Sequence, residues 1–401
     1  MECIFGIDVS SSTANVAVLI DSQVIKQFKI TSDRPGYQVL EDELDSFKSP
    51  QIIFESTGIY SRSLRAFLQR QGWQYTEINP LAAKKVMDSF RNQKTDSLDA
   101  IGLAQAMSRN HFKPSYQEKP VYEELRDLER TYQQHNNDIV QAKNRLHRAL
   151  QLTFPEMESL LSTRDGILYW HLIQYFPHPN LVLAYDVATL ADLIRQATPK
   201  NMGQNRSLHL AERLLDLAAK SAPAKTETSH AVRATKALAQ EVERLDTLKE
   251  AVIDEMAEVA TDLPEIELLT TIPGLGVKTA LCVVAELGDI RRFHSANAIN
   301  AYIGIDLILY ESGKYSAEQH IRKRGNAYAR KILYKAIMNI ISTARYHPSG
   351  VSRLYQRKKQ SSQSKSTKKI AIAAMGTLIR TIYHLVINNE SYDTSLFLDE
   401  Q

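Results

Sequence analysis

The sequence predicts a fold class of α/β plus all-α: one α/β domain followed by two helical regions. Three observations predict it. Residues 1–112 alternate strand-like and helix-like patterns. From about residue 120 the apolar residues recur in alternating steps of three and four. From residue 263 the pattern is mostly helical and the charge strongly basic. A chain of 401 residues is long enough for two or three domains. The expected division is 1–112, then 113–262 with a helical insert at about 155–225, then 263–401.

In the first region CIFGIDV, ANVAVLI and VIKQFKI are three strand-like runs separated by turn residues. Their connections are short, so they form an antiparallel meander. A helix is expected over 36–47, a fourth strand in QIIFE and a helix over 59–71. WQYTEI is a fifth strand, followed by helical segments at 80–88 and 95–108. Three strands, then helix, strand, helix, strand, helix is the order of an RNase H-like domain.

In the second region Leu125, Leu128, Tyr132, His135, Ile139, Ala142, Leu146 and Ala149 form a heptad seam. Leu238, Val242, Leu245, Lys249, Val252, Met256 and Val259 form another. Two such helices pair as an antiparallel coiled coil, within one chain or between chains. His135 and Lys249 are the single strongly polar members, suited to fixing alignment, and Lys249 can also carry its charge to the seam edge. Pro177, Pro179 and Pro199 break the insert into short helices.

Composition narrows the function classes. Hydrophobic residues make up 43% and charged residues 24%, as in globular proteins. No apolar run approaches the roughly 20 residues of a membrane helix, and MECIFGIDVS lacks a signal-peptide pattern. The expected place is the cytosol or nucleoid, with no membrane partner. Cys3 and Cys282 both lie in apolar runs and read as buried thiols. The net charge of +3 conceals an imbalance: Arg291–Arg380 holds 18 Lys/Arg and 3 Asp/Glu, a net +15, leaving −12 elsewhere. A bias of that size points to a polyanion, and nucleic acid is the expected partner.

Four acids stand out in the first region. Asp8 lies at the end of the first strand, between Ile7 and Val9, whose side chains must point the other way. Glu55 ends the fourth strand. Asp96 and Asp99 in KTDSLDA are three residues apart, on one side of a helix. In an RNase H-like sheet the first and fourth strands are neighbours and the last helix packs across them, so the four converge. Close carboxylates repel, and divalent cations between them relieve the repulsion. One or two Mg²⁺ ions are expected, with Mn²⁺ able to substitute, serving phosphoryl transfer. Arg91 and Lys94 are candidates for contact with a nucleic-acid backbone beside the acids. GIDVSSSTANVAV also resembles the phosphate loop of actin-like sugar kinases. That reading requires a second glycine-rich nucleotide motif in the C-terminal half, and the sequence has none.

The basic region carries three further motifs. In LLTTIPGLGVKTALCVVAELGDI two apolar helical stretches flank Pro273-Gly274-Leu275-Gly276, like a helix-hairpin-helix module. Gly274 and Gly276 let the backbone approach a phosphate, with Lys278 beside them. Next comes AYIGIDLILYESGKYSAEQHIRKRGNAYARKIL. Finally QRKKQSSQSKSTKK reads as a flexible loop contacting phosphates through Lys358, Lys359, Lys368 and Lys369.

Taken together, GIDVS, FESTGIY, KTDSLDA, IPGLG, Ser312-Gly313 and Ile321–Asn326 resemble the DEDD transposases of the insertion-sequence family numbered one hundred and ten, relatives of the Piv and MooV DNA invertases. The resemblance covers both ends of the chain and is weakest in the central insert. It implies a RuvC-like domain, a coiled coil and a helical C-terminal transposase domain. It implies that Asp8, Glu55, Asp96 and Asp99 are the metal ligands and that Ser312 is a nucleophile. It implies homo-oligomers, dimer or tetramer, with sites shared between chains, and in some members a guide RNA. Leu307 and Arg322 depart from the family's usual residues. The expected function is cleavage and rejoining of DNA through a phosphoserine. Lys314, Arg322, Lys323, Arg324, Asn326 and Arg330 are candidates for holding nucleic acid. Ser316, followed by Ala-Glu-Gln, reads as a helix N-cap. The rival functions are a water-using, metal-dependent junction endonuclease and a nucleic-acid-binding protein without catalysis.

Overall fold

The computed structural model describes residues 2–87, 96–110, 112–308, 311–312, 315–316, 320–361 and 366–395; at 87, 96–97, 307–308, 311–312, 315–316 and 320 the description is of the backbone. It has two compact units, split between Gln117 and Glu118.

The first unit runs β1 (Cys3–Val9), β2 (Thr13–Ile20), β3 (Gln23–Thr31), α1 (Arg34–Asp45), β4 (Gln51–Glu55), α2 (Ser61–Arg70), β5 (Tyr75–Ile78), α3 (Pro80–Met87) and α4 (Asp96–Asn110). The sheet order is β3-β2-β1-β4-β5. The first three strands are an antiparallel meander, and β1, β4 and β5 are parallel. This mixed sheet is compatible with an RNase H-like domain. Strand alternation divides its two faces. Cys3, Phe5, Ile7 and Val9 join Leu40 and Leu44 of α1 and Leu64, Phe67 and Leu68 of α2. On the other face Ile4, Ala17, Leu19 and Ile53 lie under Ala100, Leu103, Ala104 and Met107 of α4. Glycine at position 6 is what lets α4 come so close. A Cβ there would stand 2.2 Å from the Ala100 carbonyl oxygen and 2.7 Å from the Ala104 nitrogen.

The second unit begins with α5 (Pro120–Thr153) and a 3₁₀ turn, Pro155–Ser159. The insert follows as α6 (Ile167–Tyr175), α7 (Pro179–Leu183), α8 (Val187–Gln196) and α9 (Gln204–Lys220). Then come α10 (His230–Val259), α11 (Pro264–Thr270), α12 (Val277–Leu287), a 3₁₀ turn at Ile290–Arg292 and α13 (Ala296–Ile303). After β6 (Leu307–Ile308), β7 (Glu311–Ser312), β8 (Tyr315–Ser316) and β9 (His320–Ile321), the chain ends in α14 (Ala327–Thr343), α15 (Gly350–Gln360) and α16 (Thr367–Asn388).

Helices α5 and α10 pack against each other within the chain. They run antiparallel, since the Thr153 and Thr235 hydroxyls meet at 3.3 Å near the end of one and the start of the other. Every seam residue predicted on either helix is buried or half-buried. The pair crosses two separate cores. Ile139, Ala142 and Leu146 with Val242 and Leu245 belong to the insert's core, which includes Trp170, Leu190 and Leu214. Leu125 and Leu128 with Val252 and Met256 belong to the core of the C-terminal helices. His135 and Lys249 lie at the level between the two. Lys249 reaches Asp246 on its own helix and Glu250 at 3.2 Å, which places its charge at the seam edge.

The C-terminal region is mostly helical, as expected, and also holds two short two-stranded ladders, β6 with β9 and β7 with β8, which together make up the ribbon region. Strands of two residues are too short for an alternation pattern to register. One expectation is corrected: the described parts of 356–369 are mainly helix, not loop. Lys358 and Lys359 close α15, and Lys368 and Lys369 open α16. The last helix, α16, is also long and apolar enough to cross a membrane by length and composition. Half of that stretch is buried, with Ile370, Ala374, Leu378 and Ile382 at the centre of the C-terminal core.

Candidate active site

The register of β1 and β4 brings two predicted carboxylates side by side. Ile7 pairs with Phe54 in parallel, so Asp8 and Glu55 stand one position further along adjacent strands, about 4.8 Å apart in backbone spacing. Ile7, Val9 and Phe54 are buried toward α1 and α2. Asp8 and Glu55 therefore belong to the face covered by α4, at the carboxyl end of both strands. Asp99 precedes Ala100, whose carbonyl oxygen lies over Gly6. The close seat of α4 on β1 thus brings Asp99 to the same end, and all three acids are half-buried. Asp96 opens α4; its side chain lies outside the described residues, as do Arg91 and Lys94. Among the described residues no three His, Cys, Asp or Glu side chains are grouped as a metal site, and Asp96 is not in that set. The donor chemistry is carboxylate oxygen alone, which fits a hard cation such as Mg²⁺ and not a thiophilic one. Sequence reasoning passed over Ile59 and Tyr60, in the loop that follows Glu55. They are 72% and 46% exposed, apolar residues four and five positions after Glu55 whose only sequence signal is the FESTGIY motif.

The serine lies in the second unit. Ser312 pairs with Tyr315 and Glu311 with Ser316. Gly313 and Lys314, between the two strands in sequence, lie outside the described residues. Ser316 is therefore a strand residue, not the helix N-cap its neighbours suggested, because the hairpin ladder takes its backbone. The base of the ribbon is clasped by two glycines with positive φ, Gly304 at 72° and Gly325 at 131°. A Cβ at Gly304 would meet the Arg324 carbonyl oxygen at 2.2 Å, and one at Gly325 the Tyr302 carbonyl oxygen at 2.3 Å. Lys323 and Asn326 donate backbone hydrogen bonds to Gly304 and Tyr302 at 3.0 and 2.9 Å.

Several predicted nucleic-acid residues have partners or close neighbours within the protein. Gly274, with φ at 88°, faces α14, where a Cβ would meet Ile340 Cα at 2.7 Å; its glycine serves helix packing. Gly276 is open. Lys278 is held by Glu250 at 3.0 Å and stands 5.2 Å from the centre of the Tyr132 ring. The Asn326 side chain caps α14, accepting from the Tyr328 and Ala329 amides at 3.0 and 3.1 Å. One Arg330 nitrogen donates to the Ile303 carbonyl at 2.5 Å. By contrast Arg322, Lys323 and Arg324 are exposed, Arg322 beside Asp306 at 3.3 Å. Lys358, Lys359, Lys368 and Lys369 are exposed where α15 ends and α16 begins.

Comparison with known proteins matches both units. A transposase model of the DEDD IS110 type matches residues 5–155. A second, described as transposase of the IS116/IS110/IS902 family, matches residues 266–356. The chain belongs to the IS110 transposase family.

The mini-circle putative transposase for IS117 of Streptomyces coelicolor is 27% identical over 332 residues, spanning 77% of each chain. The transposase for insertion sequence element IS1111A of Coxiella burnetii is 36% identical over 80 residues, 20% of this chain and 22% of that one. The pilin gene-inverting protein of Moraxella bovis is 30% identical over 127 residues, 31% of this chain and 38% of that one. In this IS110 transposase the first matched segment holds the sheet, the acids and α5. The second holds the glycine hairpin, the ribbon with Ser312 and the Ile321–Asn326 segment. The insert, α6 to α9, falls between them.

Proposed function

We propose that this IS110-family enzyme cuts and rejoins DNA strands through a phosphoserine, with Mg²⁺ held by Asp8, Glu55, Asp96 and Asp99 in an RNase H-like domain. The observation that carries the reading is the register of β1 with β4, beneath α4, which brings Asp8, Glu55 and Asp99 to one end of the sheet. Bound there, Mg²⁺ supplies the positive charge that a transferring phosphoryl group needs. Ser312 Oγ forms a bond to the scissile phosphorus as the bond from phosphorus to the deoxyribose oxygen breaks, and that oxygen takes up a proton. Attack by a second strand's hydroxyl on the phosphoserine reverses the exchange, so one phosphodiester replaces another with no outside energy source. The exposed Arg322, Lys323 and Arg324 hold phosphates near the serine, and the lysines between α15 and α16 hold them further away. A guide RNA and assembly as a dimer or tetramer follow from the family resemblance, as does action in the cytosol or nucleoid.

The test is a denaturing gel with a nicked suicide substrate made from the element's end. The expected result is a protein–DNA adduct that Ser312→Ala eliminates and Ser316→Ala retains. An adduct that persists in Ser312→Ala overturns the serine assignment. Cleavage with no adduct in any variant means that water is the nucleophile.

A further inference from the structure

Beneath the ribbon lies a buried polar network that the proposed chemistry does not use. Glu286 of α12 and Glu129 of α5 are both fully buried. Arg130 of α5 donates one hydrogen bond to the Glu286 carboxylate, from Nη2 at 2.9 Å, and its Nε stands 2.6 Å from the other carboxylate oxygen as an ion pair. Its guanidinium also lies over the Tyr328 ring, 3.5 Å from the centre. The other ligand of Glu286 is Asn326: its amide nitrogen donates to that carboxylate and, at 3.3 Å, to the Glu286 main-chain oxygen. The Tyr302 hydroxyl donates to the same oxygen at 3.2 Å. Asn326 and Tyr302 are the two residues at which the ribbon leaves and rejoins the helices, joined by the Asn326 amide and clasped by Gly304 and Gly325. The neck of the ribbon therefore rests on one carboxylate, and that carboxylate rests on Arg130.

We infer that Glu286 and Arg130 are positioning residues of the strand-transfer reaction: through Asn326 they fix the neck of the ribbon, and so the placement of Ser312 and Arg322–Arg324 relative to a bound phosphate. The inference rests on the proposed role of the ribbon. A fixed neck matters because Ser312 lies in the chain segment that leaves at Tyr302 and returns at Asn326, so a rotation at that base is passed on to it.

A second property makes the device testable. Burial, and then the hydrogen bond with Glu286, push the Glu129 carboxyl up to about 8. Gln133 donates to one oxygen of Glu129 at 2.7 Å, and the other has no donor among the described residues, which suits a proton shared with Glu286. The other charged or titratable groups at the pair are Arg126, Arg130, Tyr302, Lys331 (through Gln133) and the buried Cys282 thiol. The folded protein keeps this proton at pH values where an unfolded chain has lost it. Its stabilisation is complete in acid and is lost as pH rises through about 8. Above that pH a second negative charge enters beside Glu286 and competes for Arg130.

The test uses the full-length protein and compares Glu286→Gln, Arg130→Lys, Arg130→Met and Glu129→Gln. Three readouts are followed from pH 6.5 to 9.5: hydrogen exchange of the Lys323 and Asn326 amides, cleavage of element-end DNA by whichever nucleophile, and DNA affinity. Glu286→Gln and Arg130→Met are expected to speed exchange at both amides and to slow cleavage by about 100-fold, the cost of a misplacement near 1 Å. Affinity should stay within about twofold, since no phosphate-holding residue is altered. Arg130→Lys keeps the charge but loses the planar guanidinium that meets Glu286 and covers the Tyr328 ring, so it should fall between wild type and Arg130→Met. Wild-type cleavage should decline through about pH 8, and Glu129→Gln should remove that decline. If exchange and cleavage are unchanged in Glu286→Gln and Arg130→Met, the positioning role is wrong. If exchange rises but cleavage does not, the neck is held as described and the ribbon does not serve the chemistry, so the proposed role of Ser312 fails instead.

Discussion

Replacing Gly6 with alanine tests the seat of α4 without touching any acid. The added Cβ would stand 2.2 Å from the Ala100 carbonyl oxygen, and ordinary contact begins at 3.4 Å. The helix must therefore withdraw by about 1.2 Å, the difference between those two distances. The obstacle is backbone, so no rotamer change relieves it. Over-packing of this kind costs about 1–3 kcal/mol. In a unit of this size each kcal/mol lowers the melting temperature by roughly 4 °C or more. The larger effect falls on the reaction. Asp99 adjoins Ala100 and moves with it, while Asp8 and Glu55 stay on their strands, so the acids part by about 1 Å and DNA cleavage should drop about 100-fold. The assay is single-turnover cleavage of element-end DNA alongside a thermal melt and a DNA-binding titration. Binding should be unchanged. Adding Ala104→Gly relieves only the 2.8 Å approach to the Ala104 side chain, so it should not restore activity. Wild-type cleavage by Gly6→Ala would refute the idea that the α4 seat positions Asp99.

Three further outcomes are expected. Asp8→Asn should abolish recombination with the melting temperature and nucleic-acid affinity nearly unchanged, because Asp8 is half-buried at a strand end and outside the core; a fully active variant sinks the metal assignment. Charge reversal at Lys358, Lys359, Lys368 and Lys369 should flatten the salt dependence of DNA binding by roughly 0.9 in log–log slope for each phosphate no longer neutralised, whereas Lys278→Ala, already paired with Glu250, should leave the slope alone. Leu245→Asp places a charge at a site 6% exposed and should cost about 3–5 kcal/mol; because the α5–α10 seam lies within the chain, sizing chromatography should show no smaller species, and dissociation would contradict that packing.

The N-terminal architecture was legible in the sequence because each strand is a short local run bounded by turn residues and the element order admits few topologies. The direction of Asp8 followed from Ile7 and Val9 alone. The two seams were legible for the same reason, being local periodicities. The basic region was less legible because its residues find partners across long stretches of chain. Gly274 reads as a phosphate-binding glycine until α14, more than sixty residues later, is found against it. Asn326 sits in a basic motif, yet its partner is Glu286, forty residues earlier. Lys278 meets Glu250 on a different helix. Charge can be read from a line of letters; whether a charge is already answered depends on which helices meet.

The two cores threaded by α5 and α10 bear on how such a chain can be shortened. Helix α5 has 34 residues, about 51 Å at 1.5 Å each. His135 and Lys249 mark a level at which the pair passes from one core to the other and contributes to neither. Cutting both helices there and joining them with a short turn removes the outer core whole and strands no apolar face on the part that remains. Excising matched sevens of residues from each helix keeps the seam in phase. The outer module is thus a detachable head on a two-helix stalk, and the glycine hairpin, the ribbon and its neck all lie below the cut.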